Sequence, residues 1–481
     1  MTERLPKSVL VGGTLLLLLV TAYMAYSRPW YFTDSRMLAG LLLLEVLCAG
    51  LWLYRRFFFP LVLISFLLAG TLLPLSGAVW TMGRWLVLCA GAFAGCFIML
   101  KERTSRLGLF HGVALFAVAA GGISAAVSRY PKFALLKAAS LALLFIYAGT
   151  GARLAISGRE KRFMAGLVTG VEVFVAVVGA FYVTGSEVMG NPNSLGAVMG
   201  VVAVPVLLWG VMVPEAPRVY YRRLALGAVA TYLLFESHSR AGLVAAFLSC
   251  AVLCLTLRRY KLFSQGMVFV LIFMASAAIF YPEKFSNRVS SLTSSIIYKE
   301  RDATLGVFAS RQTPWERATD SIRKHFWFGS GFGTTDNGLD ASAHLRTFST
   351  TDDATIENGS SYLAILTWVG MLGVLPFLFL VGLLLWRVVF TCAWMRRALT
   401  PQHPAIPLAM IVLSGIVHAA FEDWLFAPGY YLCVFFWSVA FILIDVVPSI
   451  PQMRLSQLRV PRVSTAWASR PGSGPINAPF H

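Results

Sequence analysis

Long apolar runs recur along almost the whole chain, and they limit its possible folds more than any other feature. Each run is close to the roughly 20 residues that an apolar helix needs to cross a bilayer. Only 13% of the residues are charged, against about 25% in soluble proteins, so a soluble enzyme is excluded. The sequence predicts an all-α polytopic membrane protein with about 12–14 transmembrane helices. We place about fourteen candidate spans at residues 8–26, 37–54, 57–75, 84–100, 107–127, 133–151, 163–184, 194–213, 223–236, 241–257, 263–281, 361–386, 404–422 and 428–447.

The positive charge of the chain follows the order of these spans. The net charge is +18, from 40 Lys and Arg against 22 Asp and Glu, which in a soluble protein would suggest nucleic acid as a partner. Here 24 of the 40 lie in alternate connections, at 4–7, 55–56, 101–106, 153–162, 218–223, 258–261, 387–397 and 454–470. By the positive-inside rule these connections and both termini are cytoplasmic. The charge therefore indicates topology within a lipid bilayer and not nucleic-acid binding.

One connection on the other side is much longer than the rest. Residues 282–360 carry nine Lys or Arg and ten Asp or Glu, and loops of this length are usually functional. We predict about eleven helices in 1–281, a large, partly helical extracytoplasmic loop at 282–360, about three helices in 361–447, and a disordered cytoplasmic tail at 448–481. None of the seven cysteines lies in the loop, and their spacing suggests neither a disulfide nor a metal site.

Two polar segments lie on the predicted outer side before this loop. Asn191 and Asn193 belong to a Gly- and Pro-containing turn at 190–196, where Ser194 is placed to cap the next helix; alone, this is a tight turn. Arg240 begins a span on its outer side, against the charge rule. An arginine there either reaches lipid phosphate or holds an anionic ligand, and both interpretations stay open.

The loop itself predicts an amphipathic helix. Its capping box is Thr313-Pro314-Trp315-Glu316, with Pro at the first helical position. Arg311 would come just before that helix, whose amino end favours anions. A glycine-rich segment at 329–333 would end it.

Several charged residues remain near or inside the membrane. Glu357 comes shortly before the next span, where partial burial would let a carboxylate act as a base. Glu422 and Asp423 close the last outer connection, and a salt bridge to one of the arginines is the simplest interpretation. Lys137 lies one turn into its span; we favour pairing with Glu172 slightly over a role at the outer site.

Together these segments resemble the O-antigen ligase and polymerase superfamily, membrane glycosyltransferases that use an undecaprenyl-pyrophosphate-linked glycan. The resemblance covers residues 186–447, while the first half of the chain matches only as a hydrophobic scaffold. The segments that carry it are Gly190-Asn191-Pro192-Asn193-Ser194-Leu195-Gly196, Ser239-Arg240-Ala241-Gly242, Ser310-Arg311 with Trp315, Gly329-Ser330-Gly331-Phe332-Gly333, Tyr362-Leu363 with Gly370 and Gly373, and Phe421-Glu422-Asp423-Trp424-Leu425.

The resemblance implies a GT-C-like helical fold in the bacterial inner membrane, with an active site on the periplasmic face and no metal or other cofactor. The family's two essential arginines fall on Arg240 and Arg311. The implied donor is an undecaprenyl-pyrophosphate-linked glycan, and the acceptor is a glycan or lipid A-core. Candidate substrate-binding residues are Asn191, Asn193, Lys137, Trp315, Tyr362, Glu422 and Asp423.

The sequence departs from the ligase pattern at one position. O-antigen ligases carry a His-Asn pair where this chain has Gly359-Ser360, and that histidine is the proposed base. Glu357 is our predicted substitute, with His344 and His238 as alternatives. The departure makes a polysaccharide polymerase about as good an interpretation as a ligase. A lipid-linked glycan flippase and a non-catalytic scaffold are the alternatives from other classes.

Overall fold

A computed structural model describes residues 26–27, 58–72, 78–102, 107–156, 158–186, 188–213, 216–280, 309–334, 359–398 and 401–447. These residues are helical with short connections, and no strand occurs among them. The helices are α1 Phe58–Gly70, α2 Ala78–Glu102, α3 Leu109–Val127, α4 Pro131–Ile156, α5 Glu160–Val183, α6 Pro192–Met212, α7 Pro217–Glu236, α8 Arg240–Thr256, α9 Tyr260–Phe280, α10 Ala309–Lys324, α11 Ser361–Ala398, α12 Ala405–Ala419 and α13 Tyr431–Val446.

Twelve of the predicted spans coincide with a helix, and six of the helices are long and apolar enough to cross a membrane. The predicted spans 8–26 and 37–54 lie outside the described residues, apart from Tyr26. The prediction of an all-α polytopic membrane protein is confirmed. The separation of α7 from α8 is also confirmed, because the Ser239 side chain caps α8 by accepting a hydrogen bond from the Gly242 amide.

The helix bundle has two polar ends. One end, which we call the loop end, carries α10 together with the first residues of α4, α6, α8, α11 and α13. The opposite end holds Arg153 paired with Asp445. The connections alternate between the two ends, as the charge pattern predicts.

The favoured pairing of Lys137 with Glu172 is wrong. Glu172 lies in the middle of α5 and instead binds Arg222 at 2.7 Å and Arg223 at 2.9 Å, both from α7. The spacing of apolar residues in α5 and α7 does not show how the two helices align. The sequence therefore did not reveal that Glu172 pairs with Arg222 and Arg223. Lys137 instead makes its contact at the loop end.

Helix α11 is kinked, and the chain that leaves α10 lies against the kink. Gly370 has φ of +68°, within a helix longer than the predicted span 361–386. The Ser330 amide donates to the Thr367 carbonyl at 3.0 Å, and the Met371 amide donates to the Phe326 carbonyl at 2.8 Å. These bonds satisfy backbone groups that the kink removes from the helix. The glycine-rich exit of α10 is therefore fixed to the membrane helix that follows the loop.

Candidate functional site

Arg311 forms the central polar contact at the loop end. Its Nη2 donates to Glu422 Oε1, and both side chains are about nine-tenths buried. The salt-bridge interpretation of Glu422 is thus confirmed geometrically. A guanidinium has five N–H donors, and Glu422 takes one of them, the only hydrogen bond of Arg311 recorded among the described residues. The other donors match the oxygens of a phosphate.

Helix α10 begins earlier than the capping box predicts. It starts at Ala309, so Arg311 lies in its first turn and Pro314 lies inside the helix. Glu316 accepts from the Gln312 side-chain amide at 2.9 Å instead of serving as a cap. A proline this near the start costs only one backbone hydrogen bond, which explains why the helix continues across it.

The turn that presents Glu422 is held by contacts to three helices. Ser361 at the start of α11 donates through its amide to the Glu422 carbonyl at 3.1 Å and through Oγ at 2.6 Å. The Leu425 amide donates back to Ser361 Oγ at 3.0 Å. From α13, Trp437 Nε1 donates to the Leu425 carbonyl at 2.6 Å. The Glu422 carboxylate is therefore preorganised to orient Arg311.

His418, from the end of α12, adds the third support of this turn, and the sequence analysis missed it. Trp424 Nε1 donates to His418 Nδ1 at 2.8 Å. Because Nδ1 accepts, the neutral ring carries its proton on Nε2. His418 is 1% exposed and lies near the charge of Arg311. It is therefore a positioning residue and does not replace the missing family histidine as a base.

Arg240 belongs to the same electrostatic cluster. Its charge interacts with those of Arg311 and Glu422. Close packing of α6 on α8 sets its position, since a Cβ on Gly200 would lie 2.8 Å from Gly242 Cα. The structure thus brings Arg240, Arg311 and Glu422 together, although they come from α8, α10 and the α12–α13 connection.

The turn at 190–196 contributes a cap and a hydroxyl. Asn191 Oδ1 accepts from the Asn193 amide at 2.8 Å and caps α6. The prediction that Ser194 is the cap is wrong, because Asn191 starts the helix three residues earlier. Ser194 instead lies near the hydroxyls of Tyr430 and Tyr431. Asn191 is explained by its capping role, as the simpler interpretation has it.

Tyr430 and Tyr431 connect the turn at 190–196 with the site. Their hydroxyls are 3.1 Å apart, and the charge of Glu422 acts on Tyr430. The sequence analysis did not single them out, because tyrosines at the start of an apolar span are ordinary membrane-interface residues. With Ser194 they add neutral hydroxyls beside a charged cluster.

Lys137 approaches the site from the other side. Its Nζ donates to the Gly333 carbonyl at 2.7 Å, and its charge interacts with Asp423. Lys137 therefore holds the glycine-rich exit of α10 against α4, and Asp423 lies near its charge.

Gly359 lies directly against the arginine. It has φ of +69°, and a Cβ there would lie 3.2 Å from Trp315 Nε1 and 3.3 Å from Arg311 Cδ. The ligase pattern has histidine at this position. In this chain, Arg311 and Trp315 occupy the space that a side chain at position 359 would need. Tyr362 Oη donates to the Ile416 carbonyl at 2.9 Å, which gives this hydroxyl a structural partner. Glu357 and His344 lie outside the described residues, and His238 lies in the α7–α8 turn with φ of +50°.

The chemistry of this donor set fits an anion better than a metal ion. Cations dominate it, and no cluster of three or more His, Cys, Asp or Glu side chains that could hold a metal occurs in the described part of the chain. Two guanidinium groups near one carboxylate can bind and stabilise a pyrophosphate.

Comparison with protein families identifies the segment that contains both arginines. The O-antigen ligase family model matches residues 224–378, from α7 to the kinked part of α11. This segment of the chain is therefore similar to the O-antigen ligase family, as the resemblance implies. A comparison with curated protein sequences gave no match. The match supports an activity of the glycosyltransferase type, and the apolar helices support a multi-pass membrane protein.

The family match covers only part of the site. It includes Arg240, Arg311, Trp315 and Tyr362 but ends before Glu422 and Asp423. The contact between Arg311 and Glu422 therefore extends the candidate site beyond the matched segment.

Substituting Gly359 with alanine should impair the site more than the fold. We expect at least a 10-fold loss of glycan transfer, because the added methyl meets Trp315 and Arg311 closely enough to displace the guanidinium. Gly185→Ala is the matched control, since Gly185 has φ of +75° with nothing within 4 Å of its Cβ position. Thermal unfolding and transfer activity are measured for both variants; equal activities would contradict the role given to Gly359.

Proposed function

We propose that the protein transfers a glycan from undecaprenyl pyrophosphate to a sugar hydroxyl on the outer face of the bacterial inner membrane, without a metal. The observation that carries this proposal is the cluster of Arg240, Arg311 and Glu422 at the loop end. Two arginines beside one carboxylate leave a net positive site, which suits the pyrophosphate of a lipid-linked donor.

The proposed reaction is a single displacement. The acceptor hydroxyl oxygen attacks the anomeric carbon and forms the new glycosidic bond, while the bond from that carbon to the pyrophosphate oxygen breaks. The leaving undecaprenyl pyrophosphate keeps the electron pair, and Arg240 and Arg311 stabilise its negative charge. The hydroxyl proton passes to a base. One displacement inverts the anomeric configuration.

Glu357 remains our proposed base. It precedes Gly359 by two residues in the sequence, and Gly359 touches Arg311 and Trp315. Glu422 has a different role in the proposal. Its ion pair with Arg311 holds the guanidinium in place and offsets repulsion from Arg240.

The acceptor decides between a ligase and a polymerase. For the ligase, the acceptor is lipid A-core; for the polymerase, it is another lipid-linked glycan. Glycan analysis of a deletion strain separates them. Loss of polymer from lipid A-core with retained lipid-linked polymer supports the ligase, and short unpolymerised repeats support the polymerase. Unchanged glycans in the deletion strain would contradict both.

The proposed topology places both termini in the cytoplasm and the cluster on the periplasmic side. It is supported by the alternation of the helices and by the basic residues at the end opposite α10, where Arg153, Arg222 and Arg223 lie. Polymerised glycan is assembled at that outer surface in this proposal, so donor and acceptor both approach from the bilayer.

A further inference from the structure

Arg84 is a buried arginine on α2 that has no role in the site described above. It is 9% exposed. Its guanidinium carbon lies 5.6 Å from the ring centres of Phe66 and Trp85, and its Nη1 donates to the Gly429 carbonyl at 2.8 Å. The side chain is thus fixed between two aromatic rings and the connection that leads into α13.

No carboxylate balances this charge within the described residues. The ion pairs found there involve Arg153, Arg222, Arg223 and Arg311, but not Arg84. Arg84 Nε is buried and has no hydrogen-bond partner among the described residues. A buried cation without a counter-charge is costly, and a backbone carbonyl with two aromatic faces compensates it only in part. An anion would supply the counter-charge that the described residues do not provide.

The position of Arg84 narrows the choice of anion. It lies near the start of the apolar segment Trp80–Leu100, one of the helices able to cross a membrane. It also lies near the loop end, because its contact, Gly429, precedes Tyr430 at the start of α13. At the boundary between the apolar core and the headgroups, the abundant anions are lipid phosphates.

We propose that Arg84, with the Gly429 carbonyl and the rings of Phe66 and Trp85, forms a second anion site that binds the phosphate of a lipid. The guanidinium donates to phosphate oxygens through the terminal N–H groups that the Gly429 carbonyl does not use. The phosphate belongs either to a bilayer phospholipid or to the lipid-linked donor. In the first case the site does not depend on the transfer reaction; in the second it holds the donor beside the Arg240 and Arg311 cluster.

The test uses the purified full-length protein, delipidated in a maltoside detergent. Thermal unfolding is followed while phosphatidylglycerol, undecaprenyl pyrophosphate or a diacylglycerol with no phosphate is added. The variants are Arg84→Gln and, as a matched control at the same end, Arg129→Gln, whose side chain is exposed. Arg84→Lys keeps the positive charge but loses the planar guanidinium. It replaces Arg84→Gln in the test if Arg84→Gln does not fold.

We expect phosphate-bearing lipid to stabilise the wild type and Arg129→Gln, with about 10- to 100-fold weaker binding to Arg84→Gln. Without lipid, Arg84→Gln should unfold at or above the wild-type temperature, because it lacks the uncompensated charge. Dependence on Arg84 with phosphatidylglycerol assigns a phospholipid, and dependence with undecaprenyl pyrophosphate alone assigns the donor. Equal lipid-induced shifts in the wild type and the Arg84 variants would overturn the proposal.

Discussion

Replacing Arg311 with lysine will reduce glycan transfer by about 100- to 1,000-fold, the usual cost of removing a group that stabilises the transition-state charge. Lysine keeps the positive charge but is a single ammonium, so it cannot bind Glu422 and two phosphate oxygens with a planar fork. The side chain lies in the first turn of α10 and is largely buried. The variant should still fold, because the ion pair with Glu422 survives in part.

Arg317→Lys is the control for this variant. Arg317 lies on the same helix and is exposed, so the same substitution there should leave transfer within about 2-fold of the wild type. The measurement is transfer rate by purified protein, with thermal unfolding to confirm the fold. If Arg311→Lys works as well as Arg317→Lys, Arg311 does not hold the leaving group.

Substituting Gly370 with alanine will destabilise the protein by about 2–5 kcal/mol, from a left-handed backbone together with a steric clash. Its φ is +68°, and a Cβ there would lie 2.5 Å from the Gly329 nitrogen. The methyl group would separate the exit of α10 from the kink of α11. Transfer should be lost as well, because α10 carries Arg311.

Gly158→Ala isolates the backbone part of that effect. Gly158 has the same φ of +68°, but nothing lies within 4 Å of its Cβ position. We expect it to cost only about 1–2 kcal/mol. Chemical or thermal unfolding in detergent compares the two variants; equal losses of stability would show that the contact of Gly370 with Gly329 does not matter.

The membrane fold was predictable because it depends on length and hydropathy. Apolar runs near 20 residues can only be helices in a bilayer, and Arg240 marks the boundary between α7 and α8 as predicted. Helix ends were less predictable. The capping box around Thr313 was a sound local signal, but α10 starts at Ala309, and the kink at Gly370 lies within an unbroken apolar run.

The sequence predicted which residues form the site better than it predicted the contacts between them. Arg240, Arg311 and Glu422 stand out because charged residues at a membrane boundary need a reason. Their pairing was open, since helix packing brings together residues from three distant parts of the chain. Glu172 shows the difficulty: its partners are Arg222 and Arg223, not Lys137. His418 and Tyr430 gave no signal, because both lie among apolar residues.

The most direct test of the account is transfer by the purified protein. The full-length chain is reconstituted with an undecaprenyl-pyrophosphate-linked glycan and an acceptor glycan or lipid A-core, in the presence of a metal chelator. The account predicts a new glycosidic bond with inverted anomeric configuration and release of undecaprenyl pyrophosphate. Movement of the lipid-linked glycan across the bilayer with no new bond, or transfer that stops with the chelator, would contradict it.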